Sequence, residues 1–257
     1  MATDVDNNKH ADNDIVIIGT YKDDATDNGH TVNNYKGLRM YAIAGLHEFV
    51  AQKVVQTLKP SSTLLDLAAG SGAMSLRLHD LGFQVTATDI VPDNFRLHDR
   101  MPFVSANLNK DFSREISPRY DAVMAVEIIE HIENPRHFLR ECYALLKPGG
   151  VLALSTPNLD SPVSKAMYAR FGTFQAFTDA DYKNSGHITP VGPWYLSHCV
   201  RETGFETLWK GTYGDPYRVT EDGWIKLKLF AKFLRLFSTA KPEAEGEILV
   251  LILRKPS

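Results

Sequence analysis

The sequence has little cysteine, no excess of either charge and no long apolar run. Cys142 and Cys199 are its only two cysteines, which leaves no basis for a disulfide framework and points to a reducing compartment. Lysines and arginines total 28 against 31 aspartates and glutamates, a formal net charge of −3. The chain as a whole is therefore not drawn to nucleic acid or to an anionic membrane, which leaves room for a local basic patch. The longest apolar run toward the end, Ile248–Leu253, has the length of a strand and falls far short of a bilayer span. Met1–Asp14 is polar and acidic and lacks the apolar stretch of a secretory signal. These absences lead to the expectation of a cytoplasmic protein, and no internal repeat is visible.

What is present fits one large core: 257 residues, 44% hydrophobic and 23% charged. Residues 1–34, rich in Asp, Asn, Thr and Gly, read as a mobile polar arm with a short strand at Ile15–Ile18. Residues 35–257 read as one domain with a helical insertion at about 215–240. Helical spacing predicts a helix over Leu38–Leu58, stopped by Pro60. Thr63–Leu67, Gln84–Thr88, Phe103–Ala106, Tyr120–Val126 and Val151–Ser155 read as strands. Helices are expected at Ala73–Leu81 and at about 134–146, and Lys147-Pro148-Gly149-Gly150 reads as a turn. The stretch after Pro157 to about Val191 reads as loop-rich. It is followed by a helix at Pro193–Thr203 and strands at Phe205–Lys210 and Glu247–Arg254, which pair as an antiparallel hairpin. Alternating strands and helices with near-continuous apolar strands imply an α/β fold with a parallel sheet covered on both faces.

The most informative stretch is Asp66-Leu67-Ala68-Ala69-Gly70-Ser71-Gly72, followed one βα unit later by Asp89-Ile90. A turn that receives a pyrophosphate wants a third glycine, and Ser75 stands in that place. Asp66 beside the turn would repel a diphosphate and suits a ligand bearing ammonium and sulfonium charge. Asp89, at the end of the second strand, is placed to take both ribose hydroxyls.

D-L-A-A-G-S-G, A-T-D-I, A-N-L, Y-D-A-V-M-A-V-E-I-I-E-H-I-E-N-P and L-L-K-P-G-G-V-L-A-L-S-T-P-N resemble the successive motifs of class I S-adenosylmethionine-dependent methyltransferases, over roughly Leu38 to Arg254. The resemblance implies a Rossmann-like, doubly wound, seven-stranded sheet, mostly parallel with strand seven antiparallel, in a methyltransferase domain that binds S-adenosylmethionine. It implies that Asp66, Ala68, Gly70 and Gly72 lie along the methionine and ribose side. Asp89 would hold the ribose, Ile90 would pack on the adenine, and Asn107 and Leu108 would sit at its edge, with Val126 also on the cofactor. Ala68 and Ala73 stand where glycines are commoner, which is tolerable only if neither position needs positive φ.

Past the fourth strand the chain reads Glu127-Ile128-Ile129-Glu130-His131. If the segment winds helically on leaving the strand, Glu127, Glu130 and His131 share one face. With His187 from Ser185-Gly186-His187-Ile188-Thr189-Pro190 they form a candidate site for a divalent metal (Mg, Mn, Fe or Zn). This layout is similar to the branch that includes ubiquinone-biosynthesis O-methyltransferases and small-RNA 2′-O-methyltransferases. In that resemblance Arg39 matches the arginine that meets the cofactor carboxylate. The expected chemistry is O-methylation, with His131, His187 and Glu127 as candidate catalytic residues.

Aromatic residues such as Tyr41, Tyr168, Phe174 and Trp194 suit a small-molecule acceptor, either an aromatic or isoprenoid quinol precursor or a sugar. The alternatives are RNA 2′-O-methylation, against which the lack of basic excess counts, and a catalytically silent cofactor-binding protein. The helix expected over Trp224–Phe237 has an apolar arc wider than one sheet needs. That arc suits peripheral membrane contact, a homodimer interface or a lid.

Overall fold

The computed structural model describes residues 26–27, 30–31, 33–218, 225–239 and 244–257. The short strand expected at Ile15–Ile18 and most of the polar arm lie outside the described residues.

Seven strands form one sheet: β1 (Thr63–Asp66), β2 (Gln84–Asp89), β3 (Phe103–Ser105), β4 (Tyr120–Val126), β5 (Leu146–Pro157), β6 (Glu206–Tyr213) and β7 (Ile248–Arg254). Their order is β6-β7-β5-β4-β1-β2-β3. β1 pairs in parallel with both β4 (Leu64 opposite Ala122) and β2, while β7 runs antiparallel to β5 (Leu251 opposite Leu154) and to β6. This is the expected doubly wound sheet with an antiparallel last strand.

The period of two along each strand divides the core. Leu65, Val123, Leu152 and Leu251 face α3 (Pro135–Leu145) and α6 (Pro193–Thr203), where Phe138, Leu139, Leu196 and Cys199 are buried. Leu64, Met124, Ala153 and Val250 face α1 (Leu46–Val55) and α2 (Ala73–Asp80), meeting Val50, Val54, Met74 and Leu78. Each fully buried aliphatic side chain contributes about 1.5–3 kcal/mol, so both faces anchor the strands whose ends carry the site.

Three local expectations change. The helix predicted from Leu38 begins only at Leu46. Gly37 and Gly45 take positive φ (85° and 81°), and Leu38–Arg39 pairs with Asn34–Tyr35 as a two-residue ribbon. Lys147–Gly150 lies inside β5 as a bulge, with the register against β4 jumping from Leu146 to Val151. The stretch read as loop-rich contains α4 (Pro162–Phe171) and α5 (Asp179–Ser185). Ser161 caps α4 by accepting from the Ser164 N–H, and Thr178 with Asp181 forms a capping box on α5. α7 (Ile225–Arg235) lies on α4. No helix among the described residues is long and apolar enough to cross a membrane.

Candidate active site

The strand order reverses between β1 and β4, so the chain leaves the carboxyl ends of these neighbours in opposite directions and opens a crevice there. A cavity of about 740 Å³ occupies it. The backbone is strained on both sides. Ala68 after β1 has φ 54° and Glu127 after β4 has φ 53°, both left-handed, whereas Ala73 begins α2. The condition set for Ala68 therefore fails: alanine is held where glycine would be unstrained. Side chains at both positions line the cavity.

At one end of the cavity Asp89 accepts from the Gly70 N–H (2.8 Å) and the Val91 N–H (2.9 Å), with Ile90 exposed beside it. Burial raises the Asp89 carboxyl above the ordinary carboxylate range even though these N–H groups favour its charge. Asn107 accepts from the Asn109 N–H and, with Leu108, lines the same end. Arg39 and Tyr41 close it from the ribbon side, and a Cβ on Gly70 would stand 3.0 Å from the Tyr41 ring.

Three residues expected at the cofactor stand behind this surface. Asp66 is buried and accepts from the Ser75 hydroxyl at 2.5 Å. Gly72 caps α2 with φ 93°, pressed against Phe95. Val126 packs into the core beside α1 and α2. None of the three is among the residues lining the cavity.

At the other end Glu130, His131 and His187 come together. Only Ile129–His131 winds, as one 3₁₀ turn, because Glu127 is left-handed and Ile128 has φ −132°. The helical face expected to carry Glu127, Glu130 and His131 does not form. The Glu130 carbonyl accepts from the N–H groups of Ile188 and Thr189, and this docks the 186–189 segment onto the turn. The His131 and His187 rings then stand 4.8 Å apart at 82°. His131 Nδ1 meets the Gly186 carbonyl (3.1 Å) and His187 Nδ1 the Ala176 carbonyl (2.6 Å). A carbonyl only accepts, so each Nδ1 carries the proton and Nε2 is the basic nitrogen.

Ligand atoms of Glu130, His131 and His187 lie within 4.8 Å of one another. Glu127, expected in the same set, stands outside that group, and its Oε1 accepts from the Ser155 hydroxyl at 2.8 Å. Glu130 is fully buried. Its Oε2 accepts from Thr156, while Oε1 has no hydrogen-bond partner among the described residues.

Burial pushes the Glu127 carboxyl up to about 7, with the charge of Glu247 adding to the rise. Burial, then the charge of Glu127, holds Glu130 well above its ordinary range. Burial and the neighbouring His187 bring His131 down to about 4. Glu247, ahead of β7, was missed by the sequence reading. It lines the cavity with a buried Oε2 that has no partner among the described residues, and its Oε1 lies 3.2 Å from Arg218. An acid just before an apolar strand gives no sequence signal of its inward turn. These carboxyls make the cavity receptive to a positively charged ligand.

The model of the methyltransferase domain family matches residues 36–209, more than half of the chain. The chain belongs to this family. The ubiquinone biosynthesis O-methyltransferase of Xanthomonas campestris pv. campestris is 36% identical over 118 residues, 43% of this chain and 48% of that protein. The protein of the same name from Xanthomonas axonopodis pv. citri is 38% identical over 102 residues, 37% and 43% of the two chains. This family member thus covers about half the length of the curated relatives it matches. The methyltransferase-domain fold recurs in a SAM-dependent methyltransferase from Archaeoglobus fulgidus (TM-score 0.56, 17% identity, 81% of this chain and 94% of that one). It recurs also in the cyclase SpnF (TM-score 0.55, 18% identity, 87% and 84%). The fold alone therefore does not choose the reaction.

Proposed function

We propose that the protein is an S-adenosylmethionine-dependent O-methyltransferase acting on a small-molecule hydroxyl, either an aromatic or isoprenoid quinol precursor or a sugar. The observation that carries this reading is the pair His131 and His187. Both have Nδ1 pinned to a carbonyl, and both sit in the cavity that Asp89 and Gly70 share. The names of the partial relatives agree with it.

When bound, S-adenosylmethionine supplies a methyl group on a sulfonium, open to in-line displacement. Asp89 takes the ribose hydroxyls on the lone pairs left by Gly70 and Val91. Ile90 covers the adenine, Asn107 and Leu108 border it, and Arg39 meets the cofactor carboxylate. The small residues Ala68 and Gly70 leave room for the methionine. Asp66, Gly72 and Val126 act from behind by holding the turn, α2 and the strand end in place. Glu127 supplies negative charge toward the sulfonium. Nε2 of His187 or His131 would accept the proton of the acceptor hydroxyl as its oxygen takes the methyl carbon, the sulfur–methyl bond breaking with its electron pair left on S-adenosylhomocysteine.

Glu130, His131 and His187 also fit a divalent cation, since the buried Glu130 Oε1 has no partner among the described residues and both imidazoles have a fixed tautomer. Bound there, such an ion would lower the pKa of the acceptor hydroxyl. One carboxylate with two imidazoles suits Mn²⁺, Fe²⁺ or Zn²⁺ better than Mg²⁺.

The test is transfer of radiolabelled methyl from S-adenosylmethionine into fractionated extract, with and without EDTA, for the wild type and His187→Ala. Label in a lipid-soluble fraction that falls at least about a hundredfold in His187→Ala, with cofactor affinity kept, supports the reading. Loss with EDTA assigns the metal, and indifference to EDTA removes it. Full activity in His187→Ala overturns the assigned base.

A further inference from the structure

α7 is apolar on two sides. Leu227 and Ala231 are buried against Val163, Ala166 and Met167 of α4. On the other side Ile225, Leu229 and Phe233, spaced i, i+4, i+8, are 63%, 60% and 54% exposed. Leu236 and Phe237, just past the helix end, continue the exposed stripe. The first side is used by the fold, and among the described residues nothing covers the second.

Charge is distributed unevenly over the same two helices. Neither α4 nor α7 contains an aspartate or glutamate, yet together they carry Lys165, Arg170, Lys226, Lys228, Lys232 and Arg235 in a chain whose net charge is −3. Arg235 pairs with Glu245, and Lys165 stands 3.6 Å from Asp160. At 100° per residue, Lys228 and Lys232 border the exposed stripe on one side and Lys226 falls within it.

We propose that this face docks on a bilayer containing anionic phospholipid. Ile225, Leu229 and Phe233 enter the headgroup–acyl boundary while the lysines meet phosphate. A second copy fits the face poorly. A two-fold contact through the stripe would set Lys226, Lys228 and Lys232 against their own counterparts, with no acid on either helix to pair with them. Anionic headgroups supply countercharge along the whole strip. Val163 and Met167, which meet α7, also line the cavity, so α7 itself stands between the docked face and the cavity wall. A lipid-soluble acceptor would reach the cavity from the bilayer along a short path.

The test is flotation of the full chain with phosphatidylcholine vesicles and with vesicles of phosphatidylcholine and phosphatidylglycerol, and it needs no knowledge of the reaction. The wild type is expected to float only with the anionic vesicles and to be released by salt. Lys228→Gln with Lys232→Gln lowers partition about 30-fold, and Leu229→Glu with Phe233→Glu abolishes it with unchanged circular dichroism. Wild type left at the bottom with anionic vesicles overturns the proposal. So does a dimer by light scattering that the Leu229→Glu, Phe233→Glu pair dissociates in a protein that does not float.

Discussion

Asp66 ends β1, is buried, and spends one carboxyl oxygen on the Ser75 hydroxyl. Burial pushes its carboxyl from the ordinary 3.8 up to about 7; the nearby charge of Asp89 adds to the rise and the Ser75 bond opposes it. Replacing it with asparagine keeps an oxygen for Ser75 and removes the ionisation. In the unfolded chain the aspartate loses its proton near 3.8, whereas in the folded protein it keeps it until about 7. Between those values the native state binds more protons, so stability falls as pH rises. At about 1.4 kcal/mol per unit, the loss accumulated by pH 8 approaches an upper bound of about 4 kcal/mol.

Asp66→Asn should therefore match the wild type in urea unfolding at pH 4 and exceed it progressively to pH 8. The gain should stay within that bound and be complete just above pH 7. A difference between the two proteins that does not vary with pH would refute the reasoning. A variant less stable than wild type at pH 8 would show that the ionised carboxylate is itself a structural requirement.

Ala68→Gly relieves a left-handed alanine that costs about 1–2 kcal/mol, against roughly 0.4–1 kcal/mol of added chain entropy. Chemical unfolding should find it neutral to about 1 kcal/mol more stable, and a clear loss would contradict the strain. Gly72→Ala faces both φ 93° and Phe95 Cε2 at 2.8 Å. A loss of about 1–3 kcal/mol is expected, and an unchanged melting temperature would contradict it.

The sheet was readable because its strands are short apolar runs ended by turn residues, and Tyr120–Val126 matches to the residue. α4 and α5 escaped although their caps were in plain view: Ser161 before Pro162, Thr178 three residues ahead of Asp181, and glycines at 172 and 186. Neither helix carries a strong apolar period, so periodicity gave no support to the caps. Asp89, His131 and His187 were picked out by residue type, spacing and the resemblance, and the structure sets all three in one cavity. Asp66 and Gly72 were placed along the cofactor by the resemblance and, for Asp66, by its charge, whereas Asp66 is buried and neither is among the residues lining the cavity. Glu247 was invisible because its placement depends on Asn158 at the end of the neighbouring strand, whose N–H donates to the Glu247 carbonyl and whose side-chain amide donates to the Gly246 carbonyl. Glu127 was misplaced because a left-handed backbone at a non-glycine residue is not written in local sequence.

The most direct test of the account is calorimetric titration of S-adenosylhomocysteine into the wild type and into Asp89→Ala, with circular dichroism to show that both are folded. Charged hydrogen bonds contribute about 1.5–3 kcal/mol each. The account predicts one site in the wild type and affinity lower by about a hundredfold or more in Asp89→Ala. Equal affinity in the two proteins, or no binding by the folded wild type, would contradict the assignment of this cavity to the cofactor.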